Sequence, residues 1–231
     1  MACFSVILPA AGSSSRFGRN KLIEPLNGKP VLLHSLRAFT RRADVSQIIV
    51  ATQSYSAIHE AIVASASSIF VDPRLNFCPG GECRAESVLR AVREIPGDVE
   101  WIAVHDAARP LVSQELIDDT FAAAQAHGAA VPALPVNLTI KQCPGPLPAK
   151  VVRTVPRQEL WAMQTPQIMR RADLLAAYEK CPMPLDQITD DVQLLELIGK
   201  EVWLVPGDDR NLKITTPLDL KIAELLMRGD A

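Results

Sequence analysis

Short apolar runs alternate with apolar stripes of helical period along the first part of the chain, and this alternation strongly constrains the fold. Phe4 to Leu8, Gln47 to Thr52 and Trp101 to His105 have the composition of buried strands. Between the first two runs, Leu32 and Leu36 have helical spacing. Parallel strands need crossover connections of this kind, which cover both faces of a sheet. The sequence therefore predicts a three-layer α/β fold with a mostly parallel, Rossmann-like sheet.

The loop after the first apolar run, PAAGSSSRFGRNK, is rich in glycine, serine and basic residues. Backbone N–H groups of such a loop can bind a polyphosphate, and Arg16 and Lys21 supply positive charge. A Walker A loop is excluded because no Lys-Ser or Lys-Thr pair follows Gly18, and the glycine spacing does not match the dinucleotide fingerprint. The loop favours nucleotide binding, and an ordinary strand-to-helix turn is the alternative.

Two further segments carry residues suited to a nucleotide. Gly80 and Gly81 precede a helical stripe with Ser87 near its start, an arrangement that can hold a base or ribose or form a plain turn. Asp106 follows a buried strand, where ligands of open α/β sheets bind, and its carboxylate suits Mg²⁺. Arg109 can bind a phosphate, although an Asp106–Arg109 salt bridge within a turn is the alternative.

Composition limits the class of partner. The chain has 24 Lys and Arg against 26 Asp and Glu, and a net charge of −2 gives no electrostatic footprint for nucleic acid. The N-terminal segment lacks the charged region of a signal peptide, and its apolar run is too short for a membrane span. We therefore expect a cytoplasmic protein. Its five cysteines include no CxxC pair, so we expect free thiols.

The segment between the predicted core strands and the last helices changes in character. Five prolines fall between residues 136 and 167, and two short segments flank the sequence CPGPLP. This pattern predicts a two-stranded arm at 136–160 that projects from one domain spanning 1–231. An exposed β-arm with apolar residues pairs readily with another chain, so we expect a homodimer.

Local signals predict several other elements. Ile69 to Asp72 resembles a short strand, and Arg171 to Glu179 a helix. Ser113 and Thr189 are candidate N-caps of two helices, and Thr216 followed by proline is a strong helix start.

The motifs together resemble one known family. The loop PAAGSSSRFGRNK is followed in order by GGECRAESV, HDAARP, RTVPRQELWAMQTPQ, ITDD and NLKITTPLDL. Their order and approximate spacing are similar to those of the 2-C-methyl-D-erythritol 4-phosphate cytidylyltransferases of the non-mevalonate isoprenoid pathway. The resemblance implies a nucleotidyltransferase fold and the transfer of CMP from CTP to methylerythritol phosphate, with Mg²⁺ as cofactor and pyrophosphate as the second product.

The resemblance also implies roles for individual residues. Arg16 and Lys21 would stabilise the triphosphate and the transition state, with Arg157 and Lys213 as further catalytic candidates, and Asp106 would bind Mg²⁺. The implied CTP site consists of Ala10, Ala11, Gly12, Gly81, Glu82 and Ser87. The implied site for the second substrate consists of Asp106, Arg109, Thr139, Arg157, Thr165, Thr189 and Lys213. Thr139 and Arg157 would reach it from the partner's arm.

Four positions depart from the family pattern: Ser14, Asn20, Cys83 and Leu138. Leu138 stands beside Thr139 where the family usually has Asp, so the change concerns the second substrate more than CTP. A cytidylyltransferase for another polyol phosphate, such as ribitol 5-phosphate, is one alternative. A non-catalytic nucleotide-binding protein is another, but it predicts loss of Arg16, Lys21 or Asp106, and all three are present.

Overall fold

The computed structural model describes residues 2–12, 14–65 and 67–229. The strands are β1 Phe4–Pro9, β2 Pro25–Leu26, β3 Lys29–Pro30, β4 Val45–Thr52, β5 Leu75–Pro79, β6 Trp101–Val104, β7 Ala129–Pro135, β8 Ile140–Gln142, β9 Arg153–Val155, β10 Trp161–Met163, β11 Gln167–Arg170 and β12 Trp203–Pro206. The α-helices are α1 Val31–Thr40, α2 Tyr55–Ala64, α3 Arg84–Arg93, α4 Gln114–His127, α5 Arg171–Glu179, α6 Asp191–Leu197 and α7 Pro217–Arg228. Short 3₁₀ helices cover Lys21–Ile23, Ile69–Val71 and Leu185–Gln187.

Eight strands form the main sheet in the order β10-β7-β11-β6-β1-β4-β5, and β12 pairs with β7. Strands β5, β4, β1 and β6 are mutually parallel, whereas β11 runs antiparallel to β6 and β7. The predicted α/β fold with a mostly parallel sheet is therefore confirmed. Because β1, β4, β5 and β6 point the same way, the loops that follow them meet along one edge.

The core lies on both faces of the sheet. Strand β1 shows this directly, since Val6 and Leu8 belong to one cluster with α1 and α4, and Ile7 belongs to the other with α3, α5 and α6. All three side chains are fully buried. A strand that is covered on both faces is apolar at successive positions, which explains the continuous run in the sequence. Because helices cover both faces of the sheet, the loop that leaves β1 lies at the edge where the parallel strands end.

Two sequence-based assignments are wrong, the strand at Ile69 and the N-cap at Thr189. Ile69–Val71 forms a 3₁₀ helix instead of a strand, and the strand of this region is β5, which the sequence analysis missed. Strand β5 lies at the sheet edge, where its burial is incomplete and Pro79 is tolerated, so its apolar pattern is weak. Thr189 does not cap α6, because the carboxylate of Asp190 accepts the hydrogen bond from the N–H of Gln193.

The arm consists of β8 and β9, which pair antiparallel with Ile140 opposite Val155. The chain then returns to the main sheet through β10, where Trp161 pairs with Pro135 of β7. The arm exposes apolar side chains, among them Leu138 at 77% and Val152 at 65%.

Among the described residues, the helices are all too short or too polar to cross a bilayer.

Candidate active site

A cavity of about 520 Å³ opens at the carboxyl edge of the parallel strands. Its walls come from the loop after β1, the segment between β5 and α3, the turn after β6, and the segment before α7. Ten of the predicted site residues line it: Ala10, Ala11, Gly12, Arg16, Lys21, Gly81, Glu82, Ser87, Asp106 and Lys213. Four segments that lie far apart in sequence thus supply one cavity.

The loop after β1 folds around Ser14, whose φ of 53° lies in the left-handed region. The carbonyl of Ser14 accepts hydrogen bonds from the N–H groups of Phe17 and Gly18, and Phe17 is buried. Arg16 is exposed on the cavity wall, whereas Arg19 points away and pairs with Glu24. The loop therefore directs one of its two arginines toward the cavity. Ser13 lies outside the described residues.

Lys21 opens the 3₁₀ helix that follows this loop, and Asn20 caps that helix through the N–H of Leu22. The pKa of Lys21 is lowered, chiefly by burial and then by the positive charge of Lys213, while Asp106 opposes the shift. Lys21 is a partly buried cation beside another cation. Such a group suits a bound polyanion, which would offset both the desolvation and the repulsion.

The second glycine-rich segment requires its two glycines because protein atoms approach closely. A Cβ at Gly80 would lie 2.3 Å from the side chain of Ala11, and one at Gly81 would lie 2.5 Å from Cβ of Glu86. The hydroxyl of Ser87 is buried, accepts from the N–H of Gly81 at 2.9 Å and donates to the carbonyl of Cys83. Ser87 thus holds Gly81 in the cavity wall, and its hydroxyl hydrogen is already used.

Asp106 is surrounded by cations. Its carboxylate lies 2.9 Å from Nζ of Lys213, 3.2 Å from Nε of Arg84 and 3.5 Å from Nε of Arg109. Burial alone would raise the pKa of Asp106, but the charges of Arg84, Lys213 and Arg109 outweigh it and hold the pKa well below its usual range. Asp106 is therefore a carboxylate, and the positive charges around it exceed its own negative charge.

Arg84, which the sequence analysis did not select, links two carboxylates. Its Nη1 lies 2.7 Å from the fully buried Asp191, and its Nε contacts Asp106. Burial opposes the charge of Arg84, yet Asp191 and Asp106 raise its pKa. The sequence signal was present, since Arg84 lies three residues after Gly81 within GGECRAESV and Asp191 lies within ITDD. Only the fold shows that these segments, about 100 residues apart, meet.

Comparison with known proteins identifies this arrangement. The model of the 2-C-methyl-D-erythritol 4-phosphate cytidylyltransferase family, IspD, matches residues 4–229. The chain belongs to this family. It is 38% identical to the cytidylyltransferase of Gloeobacter violaceus, over 96% of this chain and 95% of the relative. The chloroplastic enzyme of Oryza sativa is also 38% identical, over 96% of this chain and 74% of its own length.

Solved structures agree with the family assignment. The crystal structure of the Francisella tularensis IspD superposes with a TM-score of 0.82 at 30% identity, and the match covers 97% of this chain and 99% of that one. The chain is therefore a nucleotidyltransferase of the cytidylyltransferase class.

Two of the residues implied for the second substrate lie behind the cavity wall. Arg109 is buried and donates to the carbonyls of Asn211 at 2.6 Å and Met163 at 3.4 Å. Thr165 is also buried, and its hydroxyl accepts from the N–H of Asp106 and contacts Nδ1 of His105, each at 3.0 Å. Both residues contact Asp106 from the protein side. The resemblance implies substrate contact for both residues and no role for His105.

Three further residues implied for the second substrate, Thr139, Arg157 and Thr189, are exposed. Thr139 and Arg157 belong to the arm and do not line the cavity of their own chain, and Arg157 donates to the carbonyl of Asn137. Thr189 precedes α6, and its hydroxyl donates to Oε1 of Gln193 at 3.0 Å. The single chain therefore brings Asp106, Arg109, Thr165 and Lys213 together and leaves the two arm residues apart.

The donor atoms of the cavity limit how a metal ion could bind. Among the described residues, His, Cys, Asp and Glu side chains form no group of three or more that could hold an ion. Mg²⁺ commonly binds through one or two carboxylates together with substrate phosphates and water. Asp106 fits that pattern as a single protein ligand, provided that the nucleotide supplies further oxygen atoms. It would then share its carboxylate between the ion and Lys213.

Proposed function

We propose that this chain transfers CMP from CTP to 2-C-methyl-D-erythritol 4-phosphate, giving 4-(cytidine 5'-diphospho)-2-C-methyl-D-erythritol and pyrophosphate. The observation that supports this most is the shared cavity. Lys21 and Arg16, on the loop after β1, face the same space as Asp106 and Lys213. A triphosphate on the loop would have its α-phosphorus near the second group of charges.

In this reaction an oxygen of the methylerythritol phosphate attacks the α-phosphorus of CTP. A new P–O bond forms there, and the bond between the α-phosphorus and the bridging oxygen breaks, so that pyrophosphate leaves with the electron pair. The family chemistry needs no covalent enzyme intermediate. Catalysis then consists of positioning and of stabilising negative charge on the phosphoryl oxygens.

The described side chains suit these tasks. Lys21 and Arg16 would stabilise the charge that develops on the triphosphate, and Lys213 would orient the attacking phosphate. The glycine-rich segment at Gly81 and Glu82, with Ala10 to Gly12 opposite, would hold the nucleoside. Asp106 would hold Mg²⁺ together with the nucleotide phosphates, and the ion would neutralise part of their charge when bound.

We further propose that the active form is a homodimer in which the arm of one copy completes the site of the other. The exposure of Thr139 and Arg157, away from their own cavity, supports this proposal. The direct contacts of Arg109 and Thr165 to Asp106 support a role for these two residues in holding the site. A cytoplasmic location stays a prediction.

The test is pyrophosphate release by the purified chain with Mg²⁺, each nucleoside triphosphate in turn, and either methylerythritol phosphate or ribitol 5-phosphate. We expect release only with CTP and methylerythritol phosphate. Release with ribitol 5-phosphate instead would keep the reaction type and overturn the proposed substrate. If no pair gives release, the proposed reaction is wrong and a nucleotide-binding role takes its place.

A further inference from the structure

His105 lies directly after β6 and behind the cavity wall. It is fully buried, its own N–H donates to the carbonyl of Ile7 at 2.9 Å, and its ring meets Phe39 edge-on with centroids 5.2 Å apart. It is absent from the residues that line the cavity. Any effect of His105 on the reaction must therefore pass through the residues that it contacts.

The hydrogen bonds of the imidazole have a defined direction. Nε2 lies 3.1 Å from the carbonyl oxygen of Arg109, which can only accept, so Nε2 carries a hydrogen. Nδ1 is the acceptor that the structure places within reach of the Thr165 hydroxyl hydrogen, because the oxygen of that hydroxyl already accepts another N–H. The hydroxyl of Thr165, 3.0 Å from Nδ1, is the donor. The oxygen of that hydroxyl accepts the N–H of Asp106.

These hydrogen bonds form one continuous series. The N–H of Asp106 donates to Thr165, Thr165 donates to His105, and His105 donates to the carbonyl of Arg109. The first and last residues are the two ends of a turn that is also closed by the N–H of Arg109 and the carbonyl of Asp106 at 2.9 Å. The turn places the Asp106 carboxylate at the cavity, and Ala107 and Ala108 form part of the wall. The imidazole thus spans the turn from behind.

We propose that His105 is a positioning residue that fixes the Asp106–Arg109 turn through the hydroxyl of Thr165. Thr165 then acts on the reaction through Asp106, since its one hydroxyl hydrogen is donated to His105 and is not available to a substrate. This inference rests on the proposed function only for its kinetic readout. It assigns a role to His105 and moves Thr165 from substrate contact to support of the turn.

The kinetic test compares Thr165→Val, His105→Phe and the double variant in the pyrophosphate assay. We expect each single variant to lower kcat by roughly 10- to 100-fold because a small displacement of a charged group weakens its alignment. The KM for methylerythritol phosphate should change little, and the double variant should resemble the single ones. Thr165→Ser keeps the hydroxyl and should retain most of the activity.

Matched controls lie elsewhere in the fold. Thr120 is also fully buried and donates its hydroxyl to the carbonyl of Leu116 within α4, and His59 packs against Phe70. Thr120→Val and His59→Phe should leave kcat unchanged. Two results together would overturn the proposal in favour of direct substrate contact. Thr165→Val would raise the KM for methylerythritol phosphate at unchanged kcat, and its effect would add to that of His105→Phe in the double variant.

A second measurement is independent of the reaction. The imidazole ¹⁵N signals of His105 are assigned as those that the wild-type protein shows and the His105→Phe variant lacks. We expect their chemical shifts to show that Nε2 carries a hydrogen and Nδ1 does not. The amide of Asp106 should be protected from hydrogen exchange, and Thr165→Val should reduce that protection. A hydrogen on Nδ1, or an unchanged Asp106 amide, would overturn the positioning role even if the wild-type enzyme proved inactive with the proposed substrates.

Discussion

At the scale of single residues, Lys21 shows how a binding site can destabilise the fold that contains it. Its pKa is lowered by burial and by Lys213, so the folded state disfavours the charged form relative to the unfolded chain. This penalty is fully present below the lowered folded-state pKa and disappears above the unfolded value of about 10.4. Without a bound nucleotide, the wild-type protein therefore carries an unfavourable charge at neutral pH.

We predict that Lys21→Met raises the free energy of unfolding at pH 7 while lowering kcat by on the order of 10²- to 10³-fold. Denaturant unfolding without ligand measures the difference in free energy of unfolding between Lys21→Met and the wild-type protein. We expect this difference at pH 7 and expect it to shrink as the pH approaches 10. Lys221→Met is the matched control, because Lys221 is exposed on α7, and it should change neither quantity. A Lys21→Met protein that is less stable than wild type at pH 7 would contradict this explanation.

Site residues that a local sequence pattern places could be predicted, whereas those that tertiary packing places could not. Lys21 and Asp106 could be predicted because each lies in the segment that follows an apolar strand, where the fold class places ligands. The contact between Arg84 and Asp191 depends on how α3 packs near α6, and no local pattern encodes that distance. The burial of Thr165 behind Asp106 likewise depends on β11 pairing with β6.

At the scale of elements, the start of α7 fixes the segment that carries Lys213. Thr216 accepts from the N–H of Asp219, and the Asp219 carboxylate accepts from the N–H groups of Thr215 at 2.8 Å and Thr216 at 2.7 Å. Just before this capping box, Ile214 donates its N–H to the carbonyl of Ala108. The helix start and the cavity wall are therefore joined by backbone hydrogen bonds.

We predict that Asp219→Ala lowers the free energy of unfolding by about 1–2 kcal/mol at pH 7. Burial opposes the charge of Asp219, but the N–H groups of Thr216 and Thr215 lower its pKa, so its stabilisation is present above pH of about 4 and is lost as pH falls through the lowered value. Unfolding at pH 7 and pH 3 measures this. Glu224→Ala, on the same helix, should have a smaller effect at pH 7, and an equal loss in both variants would argue against the cap.

The elements themselves were predictable to different degrees. The capping box of α7 and the Ser113 cap of α4 are local, since donor and acceptor lie within four residues, and both predictions are confirmed. Strands β10 and β11 were missed because they are short and directly follow the proline-rich segment that was assigned to the arm. Their stability comes from pairing with β7 and β6, which is a property of the sheet.

At the scale of the whole molecule, the site of a single chain lacks the residues of its own arm. Thr139 and Arg157 are exposed beside apolar side chains such as Leu138 and Val152, and they lie apart from the cavity that holds Lys21. An arm with this surface is explained if a second copy covers it and receives its polar residues. The proposed dimer would then contain two sites, each built from both chains.

This organisation predicts complementation between two inactive variants. In a mixed dimer of Lys21→Ala and Arg157→Ala chains, one site carries both defects and the other carries neither, because cavity and arm come from different chains. Mixed dimers isolated with two different tags should therefore have about half of the wild-type activity, while each pure variant has little. If the arm served the cavity of its own chain, every site in the mixed dimer would carry one defect. Activity no higher than that of the pure variants would thus show that the arm does not act across the dimer.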